Sequence, residues 1–320
     1  MKHLKTAALF TGVMLLGLMT AGCGRSAETA PEAAAPSLQE TAAPAEDVTD
    51  PAPAEAPSEL PENVVALSRS IGELWLLAGG KLTGVTEDAM ALPGLEESAV
   101  SIGSLAHPSS EAILALNPGM ILMTEDMPTH KKLAEEMRGL GLTVRTVNID
   151  SFGDYDGIMA ELTGMTGRKD LYDQNVTAVR ERIGSILEEA ALQQAEAGTY
   201  LCMRVSPTKN RVMKQDYFAC EIISDFGLVN IAADSSALDE LNLEAIAAAD
   251  PDWIFVIPMG DEEEAMEVYQ EVFTSQAVWK ELSAAAADRI VVLPSSYFMY
   301  KPNAKWDEAY RYMYDILYKE

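Results

Sequence analysis

One pattern of apolar and polar positions occurs twice in the chain. Residues 109–123 read Ser-Ser-Glu-Ala-Ile-Leu-Ala-Leu-Asn-Pro-Gly-Met-Ile-Leu-Met, and residues 242–256 read Asn-Leu-Glu-Ala-Ile-Ala-Ala-Ala-Asp-Pro-Asp-Trp-Ile-Phe-Val. Aligned without a gap, the copies share Glu111/Glu244, Ala112/Ala245, Ile113/Ile246, Ala115/Ala248, Pro118/Pro251 and Ile121/Ile254. Each copy has a polar N-cap (Ser109, Asn242), a short Ala-rich helix, a Pro that cannot continue it, and an apolar run of strand length. An unalternating apolar run is the mark of a strand buried on both faces of a parallel sheet. Two α/β lobes built alike are therefore expected.

Around the copies, strands are predicted at 64–67, 82–85, 142–147, 199–205, 211–213 and 290–293, and helices at 129–140, 218–226, 262–273 and 306–318. The helix after the first strand is assigned a capping box from Ser70 and Glu73 and an end at Gly79-Gly80. Residues 154–195 read as almost continuous helix, interrupted at 164–167, with Leu171, Val176, Val179, Ile183, Ile186 and Leu187 near helical period in the second part. This alternation implies right-handed crossovers and doubly wound parallel sheets: an N-terminal lobe over 63–167, one long connecting helix over 168–197, and a C-terminal lobe over 198–320.

The first 62 residues have a different character. Lys2, His3 and Lys5 precede an uncharged apolar run from Ala7 to Gly22, which ends at Cys23 among small residues. The run is short for a span of ~20 residues and resembles the signal of a bacterial lipoprotein, in which Cys23 becomes the lipidated first residue. It departs from that pattern at Thr20, where Leu is usual; an uncleaved anchor or an ordinary signal peptide are the alternatives, and all three export the protein. Residues 24–62 hold 11 Ala, 7 Pro and 9 acids against one base, Arg25. Such a stretch cannot bury enough apolar surface to order itself, and is expected to be an extended tether.

Charge narrows the partners. Fifty acids against 23 bases leave a formal charge of −27, which repels nucleic acid and anionic lipid at long range. Export permits a disulfide between Cys202 and Cys220, although both lie in the apolar surroundings typical of inert thiols. Signatures of nucleophilic hydrolases, zinc proteases and nucleotide-binding loops are missing from the string. After Cys23 only His107 and His130 remain as histidines, too few for a multi-histidine metal site. No residue argues for an enzyme, and no intrinsic cofactor is expected.

Several stretches together resemble a known family: 108–118, Leu162-Thr163-Gly164, the copy at 242–252, and 279–294 followed by Tyr297-Phe298-Met299-Tyr300-Lys301-Pro302-Asn303-Ala304-Lys305-Trp306. Over 64–318 the chain is similar to the iron-siderophore, haem and vitamin-B12 class of ABC-transporter substrate-binding proteins. It departs from the common pattern at Asp288, where Gly often precedes Arg289. The resemblance implies two lobes joined by one long helix with the ligand in the cleft between them. It also implies that Glu111 and Glu244, one per lobe, contact arginines of the membrane permease. Read from the residues alone, each is a first-turn carboxylate favoured by the helix dipole.

Strand ends facing a cleft are where a doubly wound sheet binds ligands. Those ends carry the candidate site residues Ser68, Arg69, His107, Met127, Arg204, Met259, Tyr297 and Met299. Arg69 and Arg204 suit haem propionates or siderophore carboxylates, whereas Lys209 and Arg211 read as exposed residues flanking a turn. Met259 matches a position where haem-binding relatives carry an axial His, and Ala106, beside His107, matches another relative's axial Met. A Met259/His107 pair axial to haem iron is thus an expectation, set against a soft cleft lining and a helix-entry residue. The expected function is capture of haem or a ferric siderophore for an ABC permease. A corrinoid receptor and an envelope adhesion or assembly lipoprotein are the alternatives.

Overall fold

The computed structural model describes residues 60–124, 126–193, 198–234, 238–239 and 241–319. The signal-like stretch with Cys23 and most of the 24–62 segment lie outside the described residues.

The first sheet is built from β1 (Val64–Ala66), α1 (Arg69–Leu77), β2 (Gly84–Val85), β3 (Val100–Ser101), α2 (Ser110–Ala115), β4 (Met120–Thr124), α3 (Pro128–Gly139) and β5 (Val144–Val147). Its strand order is β3-β2-β1-β4-β5, with every pairing parallel. Helix α4 (Phe152–Thr166) then runs to Gly167, whose left-handed φ of 68° ends it. Helices α5 (Lys169–Tyr172) and α6 (Ala178–Ala191) follow, joined by a wider π turn at Asp173–Thr177.

The second lobe contains β6 (Thr199–Val205), β7 (Arg211–Val212), α7 (Phe218–Asp225), β8 (Val229–Asn230), α8 (Leu243–Ala249) and β9 (Trp253–Pro258). It continues through α9 (Glu262–Tyr269), α10 (Ala277–Lys280), α11 (Ser283–Ala286), β10 (Ile290–Val292), α12 (Ser295–Phe298) and α13 (Trp306–Tyr318). The order is β10-β9-β6; on the far edge of β6, β8 pairs parallel and β7 antiparallel.

The two copies of the repeat occupy the same place in each sheet. Ser109 and Asn242 cap α2 and α8 through their side chains, and β4 and β9 are interior strands with neighbours on both sides. Strand alternation then sorts the core. On one face of the first sheet, Val65, Ile113, Ile121 and Met123 pack together; on the matching face of the second, Leu201, Ile246, Ile254 and Val256 do. The opposite faces share one cluster, in which Ala66 and Leu122 belong with Tyr200, Phe255 and residues of α4, α6 and α13. At its centre Trp306 meets Phe152 and Phe218 edge-on at ring distances of 5.8 and 5.9 Å. A shared apolar core stiffens the link between the lobes, because packed interiors resist sliding.

Two local expectations need correction, and the reading of the cysteines as inert thiols holds. Helix α1 is capped by Ser68, which accepts from Ile71 N at 3.4 Å, and not by a Ser70/Glu73 box. The Glu73 carboxylate is instead taken by Asn303 Nδ2 at 2.6 Å. Glu62, assigned by composition to the tether, accepts from Gly119 N at 2.8 Å. A Cβ on Gly119 would sit 2.5 Å from that carbonyl oxygen, so only glycine allows the approach. Cys202 and Cys220 are buried and free; the hydrogen bond to Cys220, together with burial, pushes the Cys202 thiol well above its usual range.

Candidate functional site

In the first sheet the chain builds outward from β1 through β2 to β3, then returns to β4 on the other side of β1. The connections that leave β1 and β4 therefore run to opposite sides and leave a crevice beyond the strand ends at the switch point, where doubly wound sheets bind ligands. A cavity of about 160 Å³ lies there. Ser68 follows β1, Thr124 and Met127 follow β4, and Val147 and Ile149 come from the end of β5; all line it. The far wall is Met299, Tyr300 and Lys301, a strap from the second lobe. The lining is mostly apolar with a few convergent polar groups, the usual make-up of a small-molecule site.

Lys301 closes the strap onto the first lobe. Its ammonium donates to the Ile149 carbonyl, stands 3.5 Å from Asp150 Oδ1 and 3.8 Å from Asp126 Oδ2, and lies 5.0 Å from the centre of the Phe218 ring. With 17% of its side chain exposed, it is a largely desolvated cation shared between two carboxylates. Pairs of this kind fix register more dependably than they add net stability. Asn303 secures the next residues, donating to Ser70 O at 3.1 Å as well as to Glu73.

One buried titratable group supports the cavity loop and another joins the lobes. His130 is fully buried and its Nε2 donates to Leu105 O at 2.9 Å, holding a loop whose Leu105 lines the cavity. Burial draws the His130 pKa down, and the bond to Leu105 opposes that. Glu221 of α7 accepts from Phe152 N, in the first turn of α4, at 3.0 Å. Burial raises its carboxyl to about 7, the Phe152 amide opposes the rise, and Asp225 and Asp154 add to it.

Ser68, Met127 and Met299 thus come together at the cavity. The other candidates lie elsewhere. Arg69 is exposed and holds Asp88 through its backbone N (3.0 Å) and its guanidinium (3.4 Å). His107 is exposed, with Nδ1 against Ala106 O at 2.9 Å. Tyr297 donates to Glu308 on the outer side of α13, at 2.7 Å. Met259 sits at the switch point of the second sheet, between β6 and β9, with its N donating to Val205 O at 2.8 Å. Arg204, half-buried, is near the end of β6. Among the described residues no group of three or more His, Cys, Asp or Glu is placed to hold a metal ion.

Lys301 is the cavity residue that sequence reasoning missed as a site residue, although Tyr300-Lys301-Pro302 after the last strand was its available signal. Glu111 and Glu244 lie exposed in the first turns of α2 and α8, and neither carboxylate has a partner among the described residues. Each helix leads into a parallel interior strand, so its first turn lies at the end of the lobe where strands finish. Among the described residues no helix is long and apolar enough to cross a membrane.

Comparison with known proteins agrees with this geometry. A family model described as periplasmic binding protein matches residues 64–297. The high-affinity haem uptake system protein IsdE of Staphylococcus aureus is 24% identical over 268 residues, covering 80% of this chain and 86% of that protein. The crystal structure of S. aureus IsdE complexed with haem superimposes with a TM-score of 0.70 at 19% identity, over 80% of this chain and 99% of that one. An ABC transporter substrate-binding protein from Listeria monocytogenes gives 0.69 at 22% identity, over 81% and 99%. The vitamin B12 binding protein BtuF of Vibrio cholerae gives 0.65 at 19%, over 81% and 97%.

Proposed function

Because the chain belongs to the periplasmic binding protein family and is the substrate-binding, non-enzymatic component of an ABC importer of the haem, siderophore and vitamin B12 class, we propose that its cargo is an iron complex, haem or a ferric siderophore. The observation that carries this is the switch-point cavity, lined by Ser68, Met127 and Met299 and closed by the Lys301 strap. The likeness to a haem uptake protein supports the choice of iron complex over corrinoid.

At about 160 Å³ the cavity is smaller than the ~300–1,000 Å³ of sites that enclose small molecules. A chelate therefore enters as the strap lifts from Ile149, Asp126 and Asp150, and the shared core keeps the accompanying movement of the lobes modest. Delivery proceeds by docking of Glu111 and Glu244, one from each lobe, on basic residues of the permease; paired charges of this kind set register and on-rate. Cys23 carries the lipid that holds the protein at the membrane, and the Ala/Pro/Glu segment over 24–62 provides reach.

The test is a visible-absorption titration of the full-length chain with haem, repeated with Met259→Ala and His107→Ala. A saturable one-to-one change in the haem band is expected, and alteration of that band in either variant would identify an axial ligand. Absence of a saturable change would remove haem, and quenching of tryptophan fluorescence by ferric siderophores and by a corrinoid would then decide the cargo.

A further inference from the structure

The second lobe grips residues 149–152 of the first lobe at two points. Lys301 donates to the carbonyl of Ile149, a cavity-lining residue, and the amide of Phe152 donates to Glu221 of α7 at 3.0 Å. Phe152 opens α4, so its amide is one of the orphan donors of a helix N-terminus, and the other lobe supplies its acceptor. The two grips are tied to each other. Phe218, one turn before Glu221 on the same side of α7, stands 5.0 Å from the Lys301 ammonium and 5.9 Å from Trp306. A movement that lifts the strap from Ile149 therefore strains the bond at Phe152.

The grip at Phe152 is also where the junction concentrates negative charge. Asp225 follows Glu221 by one turn on α7, its carboxylate taken by Tyr310 Oη of α13 at 2.5 Å. Asp154 faces from α4, held by the Asp150 amide at 3.0 Å and the Ser151 hydroxyl at 2.7 Å. The neighbouring cations are engaged elsewhere: Arg180 of α6 lies over the Phe152 ring but pairs with Asp156, and Lys301 is held by Ile149 and Asp150. Among the described residues an ionised Glu221 thus has one amide to offset its half-burial and meets a like charge from each lobe. A protonated Glu221 escapes both penalties.

We infer that Glu221 is a proton-linked latch between the lobes: the closed junction holds its carboxyl protonated, opening for cargo releases that proton to water, and cargo exchange quickens as pH rises through neutrality. The bearing on cargo rests on the function proposed above; the latch does not. In the closed junction burial, with Asp225 and Asp154 adding to it, raises the carboxyl to about 7, and in solvent it returns towards its ordinary 4.5. Closure is therefore fully favoured below about pH 4.5 and loses that support as pH passes 7.

Amide hydrogen exchange of the cargo-free, full-length chain tests the latch. With the intrinsic pH dependence of exchange divided out, protection of the Phe152 amide should fall about threefold or more between pH 6 and 8. It should stay level in Glu221→Gln, which keeps an acceptor for that amide and no titrating group. Level protection in both chains, or an equal fall in both, overturns the inference. The Glu221 carboxyl carbon, followed by NMR, gives a check that needs no variant: a midpoint near 7 upholds the protonated junction, and one near 4.5 overturns it. Release of haem from the loaded chain should quicken by a similar factor relative to Glu221→Gln over the same range, and an equal pH dependence in the two chains overturns the coupling to cargo. If haem does not bind, haem fails as the cargo, and the exchange and NMR results decide the latch by themselves.

Discussion

The two lobes share one plan, and the second departs from it early, by a hairpin. In the first, β1 passes directly into α1, and every strand pairing is parallel. In the second, β6 turns back through β7 before α7 begins, adding an antiparallel strand to the sheet's edge. The shared parts are architectural: Ile113 and Ile246 both seat a short helix on an outer sheet face. The inserted hairpin carries Arg204 and Arg211, while the matching end of the first sheet carries Asp126 and Asp150. These residues thus stand on opposite lobes, and Lys301 reaches from the second lobe to both acids of the first.

Substitutions at equivalent positions would sharpen or break this equivalence. Ile113→Ala and Ile246→Ala empty matching, fully buried sites, and each should cost about 2–5 kcal/mol, measured by chemical denaturation. A loss confined to one lobe would show that the copies no longer share a role. A smaller effect lies at the junction. The Glu221 carboxyl titrates at about 7 in the fold against a usual 4.5, so the fold binds its proton more tightly than the unfolded chain does. That stability is fully present below about pH 4.5 and is lost as pH rises through 7. The loss is on the order of 1 kcal/mol once discounted for partial solvent exposure, and Glu221→Gln should flatten it in denaturation curves taken from pH 5 to 8. The smallest effects on the fold belong to Glu111→Ala and Glu244→Ala. Each forfeits only a helix-dipole contribution of about 0.3–1 kcal/mol, yet uptake by whole cells should fall while ligand affinity stays unchanged; unaltered uptake would break the docking assignment.

Much of the scaffold was legible in the string. The repeated grammar of cap, short helix, Pro and apolar run located both interior strands, and β6 and α13 occur at their expected bounds. What could not be read locally depends on distant partners. Glu73 looked like a capping-box acid because a string shows Ser70 three residues before it, whereas its partner Asn303 is 230 positions away. Arg69 looked free for a ligand, yet a loop ending in Asp88 folds back to it. Lys301 was passed over because its partners lie more than 150 residues upstream. The pairing of Arg204 with Arg211 across the hairpin was harder to read: counting outward from the Ser206–Asn210 turn pairs Val205 with Arg211, whereas the observed register closes on the four residues 206–209.

The placement of the indoles turns the junction into an optical gauge. Of the four Trp residues, Trp75 is sealed inside the first lobe, Trp279 inside the second, and Trp253 is stacked on Phe255. Trp306 instead sits where α4, α7 and α13 meet, wedged between Phe152 and Phe218. A displacement of one lobe against the other alters the surroundings of that indole and leaves those of Trp75 and Trp279 intact. Emission from the unmodified chain minus that of a Trp306→Phe chain is therefore a label-free record of how far the lobes move each time cargo arrives or leaves.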